Sequence, residues 1–282
     1  MLETCKKLNL GLRSTLELLY LTQGVKPLVR LKLKNKQLDY IKLFCKNRSL
    51  SYNMSDYKVI ENVDNSKAGF SNQLTHIPLS SDNGDFLIFI SKDPAIKNIS
   101  FSNISDDKLG QLLGYPECCI NFFNRNKSLA RKYNMDYVPL ILKNEQMQAP
   151  YLINNIIRYF GYSLISHFPC TYHCENSIKI ARKNLEILGK CVPDIAVMLK
   201  KKLKSLVIFT EKHGIYYSNT YKREKTNYGD KIKFLDFFAS NKRSELYKKV
   251  KKRNQFTVIE KNIIKIGDNI YYGSNLRVIE FI

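Results

Sequence analysis

The chain has 282 residues, of which 44% are hydrophobic, so it contains enough apolar side chains for a core that needs no disulfide bonds. Its 46 lysines and arginines outnumber its 25 acidic residues and give a formal charge of +21. No apolar run is long enough for a signal peptide or a membrane-spanning helix, which predicts a cytoplasmic protein without membrane contact.

The positive charge is concentrated toward the C-terminus. Between Leu199 and Ile282 there are 20 lysines and arginines against 8 acidic residues, which is more than half of the whole excess. This excess favours polyanions, and it predicts binding of RNA or of an acidic partner through the C-terminal region. Lysine, asparagine and isoleucine are all abundant, however, and an AT-rich genome produces that composition without any such partner.

The N-terminal part alternates between helix and strand signals. Apolar residues recur at helical spacing in residues 12–22 and again in residues 38–45, and residues 50–63 suggest a strand. Residues 86–90 form a short continuous apolar run after an Asn-Gly turn, as is typical of a strand buried on both faces. Together these patterns predict a mixed helix and strand core of the α+β or α/β class.

The first cysteine motif is expected at the start of a helix. A capped helix ends at Gly114, and Pro116 suits the first position of the next helix, because its missing N–H is not needed there. Glu117, Cys118 and Cys119 therefore fall in the first turn of that helix, at its positive end.

A second motif, residues 167–174, has the sequence His-Phe-Pro-Cys-Thr-Tyr-His-Cys. The helix pattern of residues 151–160 precedes it, and an amphipathic helix pattern follows over residues 175–188 and is closed by Gly189. Cys174 is therefore also expected at or just before a helix N-terminus, where the helix dipole stabilises a thiolate.

Beyond the three lysines at residues 200–202 the apolar pattern changes from helical to alternating. Strands are predicted at residues 206–209, 215–218, 256–259, 263–266 and 269–272, and a helix at residues 234–249. We take the lysine run as a domain boundary. It separates a core over residues 1–195, which carries the cysteine motifs, from a small basic β-rich module over residues 199–282.

Cys118, Cys119, Cys170 and Cys174 are the candidate metal ligands, because four of the seven cysteines lie in the two motifs. In a reducing compartment such pairs are typical of metal ligands or redox thiols rather than of disulfides. The three-residue gap between Cys170 and Cys174 suits zinc, and cysteines at helix ends suit an iron–sulfur cluster as well. Adjacent residues on a helix diverge by about 100°, so we expect Cys118 and Cys119 to share a larger cluster more easily than one small ion.

Two histidines and two glutamates beside these cysteines are the candidate catalytic residues. His167 and His173 could supply a nitrogen ligand or act as bases, and Glu117 and Glu175 could act as acids or bases. A glutamate in a first turn also favours the helix dipole without any catalytic role.

Two other interpretations of the four cysteines stay open. Free cysteine is among the most buried residue types, so the four could simply pack. Alternatively they act without metal, as a thiol pair in which one thiolate is the nucleophile. The remaining cysteines, Cys5, Cys45 and Cys191, have no partner motif in the sequence and are predicted to be inert.

The two motifs together resemble those of a known family. The segment Leu113-Gly114-Tyr115-Pro116-Glu117-Cys118-Cys119 with Phe122-Phe123, followed later by His167-Phe168-Pro169-Cys170 and Cys174, is similar to the paired motifs of a microbial family catalogued as domain of unknown function 483. The similarity extends over residues 86–188 and leaves the C-terminal module outside. It implies that both motifs belong to one site, and it brings no established reaction.

The sequence therefore favours an enzyme that uses a cysteine-ligated metal or iron–sulfur centre and modifies RNA or a peptide. The main alternative is a non-catalytic RNA-binding protein with a structural zinc, and a third is a metal-free cysteine enzyme. The distances between the four sulfurs test the shared centre, because sulfurs more than roughly 10 Å apart cannot bind one metal through bonds of about 2.3 Å.

Overall fold

The computed structural model describes residues 10–62, 72–273 and 276–282. In these residues the chain forms eight α-helices and fourteen strands, and the strands form three sheets. The prediction of a mixed α+β fold with a strand-rich C-terminal region is confirmed. The described residues form two compact units, residues 10–128 and residues 129–282, and each is considered by itself.

The first unit contains a four-stranded antiparallel sheet. Its strands are β1 (Leu28–Leu33), β2 (Ser51–Glu61), β3 (Leu74–Pro78) and β4 (Asp85–Ser91), in the order β1-β4-β2-β3. Two helices accompany it, α1 (Leu12–Thr22) and α2 (Asn35–Asn47), and a 3-10 helix, Pro94–Asn98, follows β4.

Strand β4 is buried on both faces, as its continuous apolar sequence predicts. Ile88 and Ile90 pack with apolar side chains of α1 and α2, whereas Leu87 and Phe89 pack with residues that follow β4, including Phe101. Period-two alternation thus sends neighbouring side chains of one strand into two separate apolar clusters.

The first cysteine motif spans the junction of two helices, α3 (Asp106–Leu112) and α4 (Glu117–Ala130). The Ser105 hydroxyl accepts a bond of 3.2 Å from the Lys108 N–H and so caps α3. Gly114 turns the chain between the helices with φ of 73°, and a Cβ there would lie 2.9 Å from the ring of Pro27. Only glycine therefore allows this close turn.

The second unit contains four α-helices and ten strands within its described residues. The helices are α5 (Val138–Leu142), α6 (Glu175–Cys191), α7 (Pro193–Leu203) and α8 (Glu245–Arg253). The strands are β5 (Gln148–Ala149), β6 (Ser205–Thr210), β7 (Gly214–Ser218), β8 (Tyr221–Thr226), β9 (Gly229–Phe234), β10 (Phe238–Ala239), β11 (Gln255–Glu260), β12 (Ile263–Ile266), β13 (Asn269–Tyr272) and β14 (Leu276–Phe281).

These ten strands form two five-stranded sheets. One has the order β10-β7-β6-β14-β5, in which β14 runs parallel to β5 and the other pairs are antiparallel. The other has the order β13-β12-β11-β9-β8 and is antiparallel throughout. Apolar side chains of both sheets share one core with Leu246 and Val250 of α8.

Several predicted elements need correction. Residues 151–160 form two 3-10 helices, Tyr151–Ile153 and Ile156–Phe160, instead of one α-helix. The helix after the second motif continues past Gly189 to Cys191, because Gly189 does not adopt the positive φ of a glycine that ends a helix. The helix predicted at residues 234–249 begins at Glu245, because Phe234 completes β9.

The lysines of residues 200–202 lie in the last turn of α7, where positive charge favours the helix dipole. The division into residues 1–195 and 199–282 stays a prediction. Within the described ranges, no helix combines the length and apolar character required to cross a membrane.

Candidate metal centre

Cys118 and Cys119 lie in the first turn of α4, as predicted. The Pro116 carbonyl accepts bonds from the N–H groups of Cys119 and Ile120, at 2.9 and 3.0 Å, so the helix begins directly at the motif. Cys119 is buried, whereas Cys118 is partly exposed. Their sulfur atoms are 3.9 Å apart.

Cys170 and Cys174 lie in an irregular segment that leads into α6. Cys174 is the N-cap residue of this helix, and its carbonyl accepts a bond of 3.0 Å from the Ile178 N–H. A turn precedes the helix, because the Cys174 N–H donates to the Thr171 carbonyl at 3.1 Å. Cys118, Cys119 and Cys174 therefore lie at helix N-termini, where partial positive charge favours thiolates.

The four motif cysteines form one close group. All four sulfur atoms lie within 4.8 Å of one another, and this group could hold a metal ion. Four sulfurs bound to one zinc ion are about 3.8 Å apart, given bonds of about 2.3 Å and tetrahedral angles. The observed spacing is therefore close to that of a single tetrahedral ion.

The divergence expected of Cys118 and Cys119 does not extend to their sulfur atoms, so it is no argument against one small ion. Their Cα–Cβ bonds diverge on the helix, but rotation about these bonds can bring the sulfurs together. The 3.9 Å separation of the two sulfurs is nearly that of neighbouring ligands on one zinc ion, about 3.8 Å.

A buried carboxylate holds the second motif. One oxygen of Glu145 accepts a bond of 2.7 Å from the Tyr172 N–H, and the other lies 3.2 Å from Nδ1 of His173. The Tyr172 hydroxyl donates to Oδ1 of Asn155 at 2.9 Å, and the Asn155 amide donates to the His167 carbonyl at 3.4 Å. These bonds fix the backbone on both sides of Cys170.

Aromatic packing holds the same segment. The Phe168 ring lies 5.3 Å from the Tyr137 ring between centroids, and the Arg158 guanidinium lies 4.6 Å from the centroid of Phe168. Tyr172 is fully buried, and its ring meets that of Phe281 edge to face. The aromatic residues of the motif thus anchor the turn that carries Cys170 and Cys174.

The two predicted histidines have different surroundings. His167 is buried, and its Nε2 lies 2.8 Å from the hydroxyl of the fully buried Ser177. His173 is about half exposed, and its Nδ1 faces Glu145. Neither belongs to the close group of four sulfurs, so His167 and His173 as metal ligands stay a prediction.

Glu117 and Glu175 lie in the first turns of α4 and α6 and are both exposed. Each carboxylate favours the positive end of its helix. Their predicted acid or base roles, like those of His167 and His173, stay predictions.

Asp136 is a buried acid that the sequence analysis did not single out. Burial raises the pKa of its carboxyl to about 6, although the Val138 N–H, the Tyr159 hydroxyl and the positive charge of Arg158 oppose the shift. Burial also raises the pKa of Tyr172 well above its ordinary value, and the nearby Asp136 adds to this. The Tyr172 hydroxyl therefore stays protonated and remains a hydrogen-bond donor to Asn155.

Glu145 and Asn155 were likewise missed, because neither stands in a motif. Glu145 lies in a polar stretch, Lys-Asn-Glu-Gln, that looks like an exposed loop. Only the fold reveals that the Glu145 side chain is 7% exposed and faces the second motif. No sequence signal distinguishes it from the exposed acids of the chain.

The fold and the four-cysteine group define an α+β protein with a candidate metal centre. Residues 89–203 match the sequence profile of a family described as a protein of unknown function, DUF483. The match contains both cysteine motifs, so the predicted resemblance to this family is confirmed. It covers less than half of the chain and ends at the last residue of α7. Neither the curated proteins nor the solved structures contain a match to the chain.

Proposed function

We propose that Cys118, Cys119, Cys170 and Cys174 bind one zinc ion, and that the protein uses this centre as a structural element of an RNA-binding protein. The proposal rests on one observation, the group of four sulfurs within 4.8 Å of one another. Four thiolates occupy every position of a tetrahedral ion, which is typical of structural zinc, whereas catalytic zinc keeps one position open.

The sulfur spacing favours a single ion over an iron–sulfur cluster. In a four-iron cluster each cysteine binds a different iron, so the body of the cluster separates the ligand sulfurs further than one ion does. A single tetrahedral iron would fit the same four sulfurs, because zinc and iron both accept such sites. The cytoplasm, which keeps thiols reduced, is the compartment in which these four cysteines would stay available for metal.

Metal analysis of the purified protein tests this proposal. We expect one equivalent of zinc per chain, and an anaerobically purified sample without colour. Cys118→Ser and Cys170→Ser should each lose most of the zinc, because either change removes one of four ligands. Cys191→Ser is the matched control, since this cysteine is exposed at the end of α6 and lies outside the group.

Two results would contradict the zinc proposal. A brown sample with several irons per chain would indicate a cluster. Full zinc content in both Cys118→Ser and Cys170→Ser would mean that the four sulfurs do not share one ion.

A catalytic role is the second candidate, and the pairing of His173 with Glu145 favours it. The buried carboxylate lies 3.2 Å from Nδ1 of His173, and the His173 side chain is 46% exposed. A carboxylate that orients a histidine base is a common arrangement for nucleophilic catalysis, and His173 directly precedes Cys174 in the chain. In this candidate the cysteine centre, or one free thiolate, reacts with RNA or a peptide, and His173 is the base.

Thiol reactivity separates the two candidates. In protein stripped of metal, we expect His173→Ala to slow alkylation of the motif cysteines by iodoacetamide and to change its pH profile, if His173 acts as their base. His76→Ala is the control, because His76 stacks on Tyr57 in the other unit. The catalytic candidate would be excluded if the unchanged protein, His173→Ala and His76→Ala had equal alkylation rates and equal pH profiles.

A further inference from the structure

The outward face of the sheet β13-β12-β11-β9-β8 carries a row of lysines. Residues opposite one another on paired strands project to the same face. Lys222 stands opposite Lys233, which stands opposite Gln255. A second row runs across the whole sheet and contains Glu224, Lys231, Thr257, Lys265 and Ile270.

The opposite face of this sheet belongs to the core. The alternate residues, Ile232, Phe256 and Ile264, are buried and pack in one cluster with Leu246 and Val250 of α8. The lysine rows therefore project away from the core. Lys222, Lys233 and Lys265 are exposed, and Lys231 is half-buried.

We call this surface the lysine face and define it by Lys222, Lys231, Lys233, Lys265 and Tyr272. No ion pair involves its four lysines in the part of the chain that the structure describes. The two rows contain four lysines against one carboxylate, that of Glu224 opposite Lys231, so they carry a net positive charge. A polyanion would complement it.

One edge of the lysine face offers an aromatic ring. Tyr272 of β13 is 78% exposed and stands opposite Ile263, and Ile270 on the same strand is 55% exposed. Exposed rings on a sheet stack on unpaired bases, which are accessible in single strands and hidden in duplexes. The combination of lysines and an exposed ring thus favours a single-stranded nucleic acid.

Polar side chains between the lysines favour RNA over DNA. Thr257 lies between Lys231 and Lys265 in the register, and Gln255 follows Lys233. A hydroxyl and an amide can exchange hydrogen bonds with a ribose 2′-hydroxyl, which DNA lacks. Five strands at about 4.8 Å spacing give a width of about 19 Å, comparable to sheets that stack two or three bases.

We infer that the lysine face is the docking surface for single-stranded RNA. This inference rests on the RNA-binding part of the proposed function and assigns it to one face of one sheet. Lysines of the two rows contact successive phosphates, and Tyr272 stacks on a base.

The test measures binding of the full chain to a fluorescent oligouridylate of about 15 nucleotides over a range of salt concentrations. We expect Lys231→Ala/Lys265→Ala to weaken binding about tenfold and to reduce the slope of log affinity against log salt by about 1.4, since each phosphate contact of a single strand contributes about 0.7. Tyr272→Ala should weaken binding at least about fivefold without changing the slope, because stacking carries no charge.

Lys248→Ala/Lys252→Ala is the matched control. It removes the same charge from exposed positions of α8, the helix that packs on the core side. We expect its affinity to stay within about twofold of the unchanged protein. Circular dichroism of each variant verifies that it is folded.

Three results would overturn the inference that this face binds single-stranded RNA. One is an equal loss of affinity in the control pair and in Lys231→Ala/Lys265→Ala, which would indicate unspecific attraction. Another is binding of single-stranded DNA or duplex RNA as tight as that of the oligouridylate. The third is unchanged affinity in both the double-lysine and the Tyr272 variants.

The same preparations separate this inference from the proposed function. If the protein binds RNA but the variants of the lysine face do not weaken binding, only the assignment to this surface is refuted, and the proposed RNA-binding function is not. Failure of the unchanged protein to bind any RNA refutes both. Zinc content, measured in parallel, tests the metal centre independently of either result.

Discussion

Individual buried side chains hold the backbone of the second cysteine motif in place through hydrogen bonds. Glu145 satisfies a backbone N–H and a histidine nitrogen within residues 172–173, and Asn155 joins the Tyr172 hydroxyl to the His167 carbonyl. Outer groups of this kind orient metal ligands, and their loss typically costs metal affinity. The two cysteines of this motif thus depend on residues that no motif contains.

Asp136 gives a prediction at this scale. Its carboxyl has a pKa of about 6 in the folded protein and an ordinary pKa of 3.8. Between these values the unfolded chain releases the proton and the folded protein keeps it. The contribution of Asp136 to the free energy of unfolding therefore falls by about 3 kcal/mol as the pH rises from about 4 to about 6.

Asp136→Asn tests this prediction, because asparagine does not titrate and its carbonyl oxygen can still accept the Val138 N–H. We expect the variant to gain stability relative to the unchanged protein as the pH rises through that window. Urea unfolding of both proteins from pH 4 to pH 8 measures the difference. A difference that is constant with pH would contradict the raised pKa.

At the level of helices and strands, two glycines with different surroundings lead to opposite predictions. Gly229 begins β9 with φ of 120°, and a Cβ there would lie 2.2 Å from the Val258 carbonyl oxygen. Gly189 lies inside α6, and a Cβ there would meet nothing within 4 Å.

Gly229→Ala should therefore lower the free energy of unfolding by at least about 2 kcal/mol, through the clash and the strained backbone. Gly189→Ala should raise it by about 1 kcal/mol, because alanine favours a helix interior over glycine. Urea unfolding curves of the two variants and the unchanged protein measure both effects. Equal stability of the two variants would refute the backbone description at these positions.

The sequence predicted those elements whose signal is local. The apolar run of β4 and the cap of α3 are local signals, and both elements are where they were expected. The helix end predicted at Gly189 was wrong, because a glycine ends a helix where it adopts positive φ, and Gly189 keeps helical backbone within α6. Residues 151–160 have helical spacing but form 3-10 turns, which share much of that spacing.

For the candidate site, as for the fold, the sequence predicted the features that have a local signal. Cysteine spacing and helix starts identified all four members of the sulfur group, since these are local features. The convergence of the Cys118 and Cys119 sulfurs depends on side-chain rotation, which spacing does not report. Glu145 is distant from the second motif in the sequence, and only the fold brings its carboxylate to Tyr172 and His173.

For the molecule as a whole, removal of the metal tests whether the proposed centre stabilises the folded protein. If zinc binds the four cysteines as proposed and the unfolded chain does not bind it, zinc at 100 to 1,000 times its dissociation constant should stabilise the folded chain by about 3–4 kcal/mol. For a chain of this size that corresponds to a fall in Tm of about 6–16 °C after chelation. Calorimetry with and without a chelator measures it.

Cys118→Ser is the control for this prediction, because a protein without the complete centre should respond little to the chelator. An unchanged Tm of the parent protein after verified metal loss would contradict a stabilising role.

The net charge of +21 leads to a separate prediction. Added salt screens the repulsion among lysines and should raise the Tm of metal-loaded and metal-free protein alike.

The position of β14 sets the order in which the chain can fold during synthesis. This strand lies between β6 and β5, and the Tyr151 N–H donates to the Ile282 carbonyl. The sheet β1-β4-β2-β3 needs only residues 28–91, so it can form while the ribosome is still translating the second unit. The sheet that contains β14 must wait for residues 276–281, and until then β6 presents an open edge to other nascent chains.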